Sequence, residues 1–397
     1  MTARARILSG LGIAALLAAA PAAARQPRQP ASAPAPAIQK LVPAPLVSRG
    51  KRVASRPRGA EVVVDGVYRT NATWSGGKPS PERPSWVAID VGAGYSRLLL
   101  SWTSSGNHDY TDRKYGAPVD YRIETSADST DGSNGTWRTV AAVTDNPVRT
   151  RAHAFDFAGQ RWVRLSVTRL SPDAFEWGLY LDEIDVHDLS GGRDEAAPPG
   201  PALAQGQPRP PAAALAPAYD IWVFFGDSIT SGVFDRAPDH QPSFAEAIAR
   251  RHPGYFPATV GAGFGSLHHS DAVARIDGVL ALNPDAKVVA LSFGSNDWDP
   301  VAFRRDLLAV VRKVRAAGKI PIVPRIPFRT NSKEDFAARL NAAVDAVARE
   351  ERLVPGPDLY AYFHAHPERL MDGLHPDPTG AVEAIRLWAE AAAPLYR

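Results

Sequence analysis

The chain has 397 residues, a formal net charge of +3 and no cysteine. This length allows two or three domains, and the small net charge gives no support for binding to nucleic acid or to an anionic membrane surface. Without cysteine, the chain can form no disulfide, hold no cysteine-bound metal and carry no lipid on a thiol.

The first 24 residues have the pattern of a secretory signal peptide. Arg4 and Arg6 give a positive start, residues 7–20 form a short apolar core, and residues 22–24 read Ala-Ala-Ala, an A-x-A cleavage site. The apolar core is short for a bilayer, so an uncleaved anchor is the less favoured interpretation. The pattern predicts a secreted or periplasmic protein with no membrane insertion after cleavage of residues 1–24.

Two segments rich in proline and alanine, 25–45 and 191–217, are predicted to be linkers. Such segments bury too little apolar surface to fold and form extended spacers. They divide the rest of the chain into residues 46–190 and 218–397. Their composition also predicts few contacts between these two domains.

The first domain is predicted to be all-β. Residues 162–169 alternate between apolar and polar, with Val163, Leu165 and Val167 on one face. Other short runs of strand-like composition are separated by turn residues: Glu61–Val64, 85–91, 97–102, 121–125, 137–143 and 179–186. Short strands at this spacing predict a β-sandwich.

Several motifs in this domain resemble the discoidin, galactose-binding-like family of jelly rolls, over about residues 55–188. They are Tyr-Arg-Ile-Glu-Thr-Ser from 121, Asp131-Gly132, Trp137, Phe-Asp-Phe from 155 and Arg-Trp-Val-Arg-Leu from 161. The resemblance implies glycan binding by loops at one end of the sandwich. The loop from 104 to 118 carries His108, Tyr110 and Tyr115, which could stack on a sugar. A purely structural domain without a ligand is the alternative.

The second domain alternates between strands and helices, which predicts a parallel sheet flanked by helices. A helix after Asp299-Pro300 has a capping residue and a proline at its first position. The predicted strands are 221–225, 258–260, 287–293 and 320–324, and the other predicted helices are 242–251, one from Ser332 and one from Asp377-Pro378.

Polar residues that could hydrolyse an ester follow the strands of this domain. Ser228 is a candidate nucleophile, His375 a base that could take its proton, and Asp372 a carboxylate that could orient the imidazole. An oxyanion hole could consist of the Ser228 backbone N–H, a glycine N–H and the Asn296 amide. Each residue alone could have a structural role, such as a helix cap or a surface ion pair, but their order along the strand ends favours a common site.

The set resembles the SGNH (GDSL-type) hydrolase family over about residues 218–397. Its four blocks read here as Gly226-Asp227-Ser228, the glycines after the second strand, Gly294-Ser295-Asn296-Asp297, and Asp372-x-x-His375. The second block departs from the family, because Val260 and Gly261 stand where the family has an asparagine before the glycines. The oxyanion donor could therefore be Gly263 or Gly265, of which Gly265 is favoured. The resemblance implies a flavodoxin-like, three-layer α/β domain with no cofactor and no metal.

Together, these features predict an exported, monomeric serine esterase whose partner is an acetylated glycan or polysaccharide. The glycan-binding-like domain favours an acetylesterase, since tethering would raise the local substrate concentration. A lipolytic or aryl esterase or thioesterase, and a non-catalytic glycan-binding protein, remain the alternatives. His268 and His269 are adjacent, which is unfavourable for shared metal ligation, and are expected in a loop that lines the cleft.

Overall fold

The computed structural model describes residues 38–66, 73–103, 117–148, 150–170, 178–192, 217–234 and 241–397. Residues Ile38–Arg397 form one compact unit. Within the described ranges, no helix has the length and apolar character needed to cross a bilayer.

The first domain is an antiparallel β-sandwich, as the sequence predicted. One sheet has the strand order β1-β3-β8-β5-β6, a second has the order β10-β4-β7, and β2 pairs with β9. The strands are β1 (Val53–Arg56), β2 (Trp74–Gly77), β3 (Ser85–Asp90), β4 (Arg97–Thr103), β5 (Pro118–Ser126), β6 (Arg138–Val143), β7 (Ala152–Asp156), β8 (Trp162–Leu170), β9 (Leu179–Leu181) and β10 (Glu183–Asp188).

The core of the sandwich follows the alternation read from the sequence. Val163, Leu165 and Val167 of β8 are all buried in it. The segment Glu61–Val64, predicted as a strand, is instead a 3₁₀ helix. Its Val63 N–H donates to the Ala60 carbonyl at 3.1 Å. This single helical turn places Val63 and Val64 in the core.

The second domain has a parallel five-stranded sheet with helices on both faces. The strand order is β12-β11-β13-β14-β15, and every neighbouring pair is parallel. The strands are β11 (Ile221–Gly226), β12 (Ala258–Gly263), β13 (Val288–Ser292), β14 (Ile320–Arg325) and β15 (Val354–Asp358). The helices are α1 (Ser228–Val233), α2 (Phe244–Arg251), α3 (His269–Leu282), α4 (Pro300–Ala316), α5 (Phe336–Glu350), α6 (Leu359–Ala365) and α7 (Pro378–Ala391).

The interior strand β11 is buried on both faces, which explains its continuous run of apolar residues. Val223 and Phe225 pack into a cluster with α3, α4 and α5. Trp222 and Phe224 point the other way, into a cluster with α1, α2, α6 and α7. The sheet is therefore the middle of three layers.

The expectation of few contacts between the domains is wrong. Leu99, Ala152 and Leu189 of the sandwich side belong to the same buried cluster as the β12 and α3 residues of the α/β domain. The Tyr219 hydroxyl donates to the Leu189 carbonyl, and Arg97 pairs with Asp285 at 3.3 Å. The composition of the second linker says nothing about the faces on either side of it, and these faces are apolar.

The residues that end the first predicted linker connect both domains. Leu41 is completely buried in the core of the α/β domain, and its N–H donates to the Leu395 carbonyl at 2.8 Å. Further along, the Pro45 carbonyl accepts a hydrogen bond from Asp188 N–H at the end of β10. We call residues 38–47 the N-terminal strap.

Candidate active site

The order of the parallel strands places the candidate site between β11 and β13. In a sheet of order 2-1-3-4-5, the connections leave the first and third strands in opposite directions, which opens a crevice at their carboxyl ends. Ser228 follows β11, and Asn296 is the fourth residue after the end of β13. Both residues therefore lie at the edge where such sheets bind ligands.

A glycine is required at the end of β11, where the chain turns toward helix α1. A Cβ on Gly226 would lie 2.0 Å from the Ser292 carbonyl oxygen and 2.1 Å from Thr230 Oγ1. The next residue, Asp227, caps α1 by accepting a hydrogen bond from Ile229 N–H at 3.0 Å. The turn thus brings Ser228 to the start of α1, where backbone N–H groups have no partner within the helix.

Ser228, His375 and Asp372 form one row of hydrogen bonds. Ser228 Oγ is 2.9 Å from His375 Nε2, although the two residues are 147 positions apart. His375 Nδ1 is 2.7 Å from Asp372 Oδ2. In this arrangement, a proton on Nδ1 donates to the carboxylate and leaves the Nε2 lone pair facing the hydroxyl.

The loop that holds Asp372 also keeps its carboxylate ionised. Its Oδ1 accepts hydrogen bonds from Leu374 N–H at 3.0 Å and from His375 N–H at 2.8 Å. These contacts, first the backbone N–H of His375 and then its ring, lower the pKa of Asp372 to about 2. The turn between the two residues depends on Gly373, whose φ of 79° lies in the left-handed region.

The turn after β12 contacts both the end of β11 and the Asn296 side chain. Phe264 N–H donates to the Gly226 carbonyl at 2.8 Å, and Asn296 Nδ2 donates to the Leu267 carbonyl at 3.1 Å. An amide nitrogen carries two hydrogens, so this contact leaves the second one for another acceptor. Ser266, within the turn, has a φ of 58°, a conformation uncommon outside glycine and asparagine.

The two candidate glycines, Gly263 at the end of β12 and Gly265 in the turn after it, have different environments. Gly263 is buried under α1, and a Cβ there would lie 2.6 Å from the Ser231 backbone nitrogen. Close packing of α1 on β12 is therefore a sufficient reason for Gly263. Gly265 is exposed in the turn itself. The choice of oxyanion donor between them stays a prediction.

Asp227 joins the first and third blocks of the site, a role that the sequence analysis missed. Its Oδ2 accepts hydrogen bonds from Ser295 Oγ at 2.6 Å and from Ser295 N–H at 3.2 Å. Burial raises the pKa of the Asp227 carboxyl above its ordinary value, against the effect of these hydrogen bonds. An acidic residue between a buried strand and a helix start was the available signal, since a carboxylate there needs partners.

The two adjacent histidines lie at the start of α3 rather than in a loop of their own. His268 is the N-cap residue of this helix, and its Nδ1 is 3.2 Å from Asp297 Oδ1. His269 Nδ1 is 2.6 Å from Asp306 Oδ2 in α4. The described residues contain no group of three or more histidine, cysteine, aspartate or glutamate side chains that could hold a metal ion.

Other side chains near Gly294–Asp297 differ in solvent exposure and in their polar contacts. Trp298 is 63% exposed, so it is a surface residue and not part of the core, and its ring lies edge-on to His268 with 5.6 Å between centroids. Arg329 Nη1 donates to the Ser295 carbonyl at 2.8 Å. Arg325, at the end of β14, pairs with Asp358 at 3.1 Å.

The predicted glycan-binding residues of the sandwich, His108, Tyr110 and Tyr115, lie outside the described residues. Their role stays a prediction.

The fold defines a class: a three-layer α/β domain with a serine just after the carboxyl end of its interior strand β11, preceded by a β-sandwich. Comparison with protein families identifies the family of the second domain. Residues 224–382 match the model of the GDSL-like Lipase/Acylhydrolase family. This part of the chain is a GDSL/SGNH hydrolase domain, of a family that acts on esters.

No curated protein matches the chain. Several solved structures are similar at low sequence identity. A protein from Bacillus subtilis is 16% identical with a TM-score of 0.41, and the match covers 88% of this chain and 90% of that one. An acetylxylan esterase from Geobacillus stearothermophilus is 18% identical with a TM-score of 0.37, covering 45% of this chain and 96% of that one. A chitosan-binding module from Paenibacillus sp. IK-5 is 18% identical with a TM-score of 0.27, covering 36% of this chain and 97% of that one.

Proposed function

We propose that the protein is an exported serine esterase that removes O-acetyl groups from a polysaccharide. The observation that carries this proposal is the hydrogen-bonded row of Ser228, His375 and Asp372 at the carboxyl edge of the sheet. Export follows from the predicted signal peptide of residues 1–24, and we propose that the protein acts as a monomer.

In the proposed reaction, Ser228 Oγ attacks the acetyl carbonyl while His375 Nε2 accepts the hydroxyl proton. The resulting imidazolium donates through Nδ1 to Asp372, whose low pKa keeps it charged throughout. The same proton then passes from Nε2 to the leaving sugar oxygen, which leaves an acetyl-serine. A water molecule, deprotonated by His375, attacks this ester. His375 then returns the proton to Ser228 Oγ as acetate leaves, which restores the free serine.

Negative charge on the carbonyl oxygen requires donors that are already in place. We assign them to the Ser228 N–H, the Gly265 N–H and the second hydrogen of the Asn296 amide. The hydrogen bond from Asn296 supports this assignment, because it fixes the orientation of the amide, with Nδ2 3.1 Å from the Leu267 carbonyl oxygen. A fixed donor costs no reorganisation when the charge develops.

The substitution Ser228→Ala tests the nucleophile, and Ser231→Ala is its matched control. Ser231 lies one turn later in the same helix, and its hydroxyl is buried with no hydrogen-bond partner among the described residues. We expect Ser228→Ala and His375→Ala to retain less than about 1/1000 of kcat on 4-nitrophenyl acetate, with melting temperatures close to that of the wild type. Ser231→Ala should stay within about twofold of the wild type. If Ser228→Ala kept more than about a tenth of kcat, the assignment would be wrong.

Acyl length separates an acetylesterase from a lipolytic enzyme. Each buried CH₂ is worth only about 0.8 kcal/mol, and only when an apolar surface covers it. Around the site, the described residues are polar or small: Thr230 and Ser231 lie in α1, and Ser266 and Ser295 lie in the loops after β12 and β13. Trp298 lies on the open surface. We therefore expect kcat/KM to fall about tenfold or more from 4-nitrophenyl acetate to the butyrate and octanoate.

The alcohol side is tested by acetate release from acetylated polysaccharides, with Ser228→Ala as the blank. Acetate release with wild-type protein alone supports the proposal. A kcat/KM that rises with acyl length, together with no acetate release, would favour the lipolytic alternative. Wild-type protein without hydrolysis of any ester would favour a non-catalytic glycan-binding protein.

A further inference from the structure

A groove of about 520 Å³ lies on the outer face of the five-stranded sheet of the sandwich. Trp86 of β3, Arg122 and Glu124 of β5, and Arg164 of β8 line it. We call it the sheet-face groove. The other sheet of the sandwich packs against the α/β domain through residues such as Leu99 and Ala152, so the groove is on the opposite side from that interface.

Strand register brings these side chains together in two rows. Trp86 and Arg122 both pair with Ser166 of β8, from the two neighbouring strands. In the adjacent row, Arg164 lies opposite Glu124. Because residues two apart on a strand share a face, the two rows form one continuous patch of an aromatic ring and polar groups.

The polar groups of the groove are held in place. Arg164 Nε is 2.8 Å from Glu124 Oε2, and their side chains are only 14% and 12% exposed. The Arg164 guanidinium also lies 3.9 Å from the centroid of the Trp137 ring and 5.5 Å from that of Trp86. A largely buried ion pair contributes little more stability than apolar residues of the same size would. Stability alone therefore does not account for this pair, whereas a polar ligand on this face would.

The composition of the groove indicates the kind of ligand. The face of a tryptophan ring covers the apolar face of a sugar, while guanidinium and carboxylate groups exchange hydrogen bonds with hydroxyls. Two arginines, Arg122 and Arg164, stand against Glu124 and Asp120 among the lining residues. This balance of charge does not suit a phosphate backbone, whose binding depends on an excess of lysine and arginine.

The shape of the surface indicates a chain rather than a single sugar. A second hollow of about 330 Å³, lined by Arg56, Lys78 and Arg83 among others, shares Pro84 with the sheet-face groove. A ligand that occupied both hollows would pass over Pro84 and place successive sugars in each of them.

We propose that the sheet-face groove binds a segment of the polysaccharide, with Trp86 as the stacking surface and the Arg164–Glu124 pair as the hydroxyl contacts. The proposal rests on the proposed function for the identity of the polymer. It differs from the resemblance-based expectation, which assigns glycan binding to the loop of His108, Tyr110 and Tyr115. With the groove facing away from the domain interface, the bound polymer would tether the enzyme without covering this interface.

Affinity electrophoresis of the full chain tests the site without any need for hydrolysis. The gels contain deacetylated xylan, glucomannan or polygalacturonate as the probe. We expect the wild type to be retarded by at least one of them, and Trp86→Ala to raise its apparent Kd about tenfold or more. Trp86→Phe keeps an aromatic face and should bind nearly as well as the wild type. The triple alanine variant of His108, Tyr110 and Tyr115 should bind like the wild type.

Hydrolysis of 4-nitrophenyl acetate provides the second readout. Trp86 lies in the sandwich, so its variants should hydrolyse this small ester at the wild-type rate, and such activity also shows that they are folded. If Trp86→Ala proves insoluble, Arg122→Ala replaces it, because Arg122 is exposed and has no ion-pair partner among the described residues. Loss of retardation in the triple variant but not in the groove variants would overturn the proposal, as would wild-type protein that no probe retards. Neither result depends on whether the protein is an esterase.

Discussion

The substitution Asp372→Asn tests whether the Asp372 carboxylate sets the tautomer of His375 that can accept the Ser228 proton. Asparagine keeps an oxygen for the two backbone N–H groups of Leu374 and His375, so the turn should survive. Its NH₂ group, however, would replace the oxygen that now lies 2.7 Å from His375 Nδ1. Nδ1 must then accept, the ring proton moves to Nε2, and the imidazole donates to Ser228 Oγ instead of accepting from it. The base is lost while the geometry remains.

The expected size of this effect follows from the exposure of the carboxylate. In serine proteases, the same substitution lowers kcat about 10⁴-fold, which corresponds to about 5.4 kcal/mol in activation free energy. Here the Asp372 side chain is 56% exposed, so water screens its Coulomb interaction with the imidazolium. The change of tautomer does not depend on screening. We therefore expect a loss of about 10³-fold in kcat on 4-nitrophenyl acetate with KM nearly unchanged.

Asp131 offers a matched control in the sandwich. It also accepts hydrogen bonds from the backbone N–H groups two and three residues later, Ser133 at 2.8 Å and Asn134 at 3.0 Å, and no histidine contacts it among the described residues. Asp131→Asn should therefore reproduce any effect on the turn without affecting catalysis. If Asp372→Asn lost less than about tenfold in kcat, or no more than Asp131→Asn, the reasoning about the tautomer would be refuted.

Three other outcomes follow from the structure. Asn296→Ala should lower kcat by roughly 10²–10³-fold with little change in KM, and a rise in KM alone would show a binding role instead. The pKa of Asp372 is lowered to about 2, so its contribution to stability should be complete above about pH 4 and lost as the pH falls to about 2. Acid unfolding monitored by circular dichroism should show this loss in the wild type and less of it in Asp372→Asn. Residues 218–397 expressed alone should melt at least about 5 °C below residues 38–397 or be insoluble, because burial of a side chain such as Leu41 is worth about 2–5 kcal/mol. Equal melting temperatures would show that the strap and the sandwich contribute nothing to the α/β domain.

Much of the fold was readable from local pattern, and the exceptions have physical causes. Helix α4 was found from Asp299 and Pro300, whose capping role is the same in the structure. Strand β15 was missed because residues 355–357 read Pro-Gly-Pro, a sequence that suggests a loop. It lies at the edge of the sheet, and Gly356 fits there because a Cβ would lie 2.1 Å from the Val323 carbonyl oxygen.

Contacts between distant segments were the other part that the sequence did not reveal. The strap reads as a linker because proline and alanine dominate it, yet Leu41 lies in the core of a domain that begins more than 170 positions later. For the same reason, the candidate triad was identified as separate residues at strand ends, whereas the contact between Asp227 and Ser295 was not identified at all. Residue spacing predicts local geometry, but it does not predict a buried hydrogen bond between two loops that are far apart in the sequence.

The contact between Ser295 and Asp227 matters because it sets the distance between the nucleophile and the Asn296 amide. Ser228 follows Asp227 and Asn296 follows Ser295. The 2.6 Å hydrogen bond from Ser295 Oγ to Asp227 therefore holds the Ser228 hydroxyl and the Asn296 amide in position relative to each other. A small misplacement of such groups can cost about 10²-fold in rate.

We expect Ser295→Ala to lower kcat about tenfold, because the Ser295 N–H still donates to the carboxylate at 3.2 Å and holds part of the geometry. Loss of a hydrogen bond to a buried carboxylate should also lower the free energy of unfolding by about 1–3 kcal/mol. Ser231→Ala removes a buried hydroxyl that has no partner among the described residues, so it should change neither quantity. Unchanged kcat in Ser295→Ala, despite the lower stability, would mean that the contact supports the fold and that the oxyanion donors are positioned by other groups.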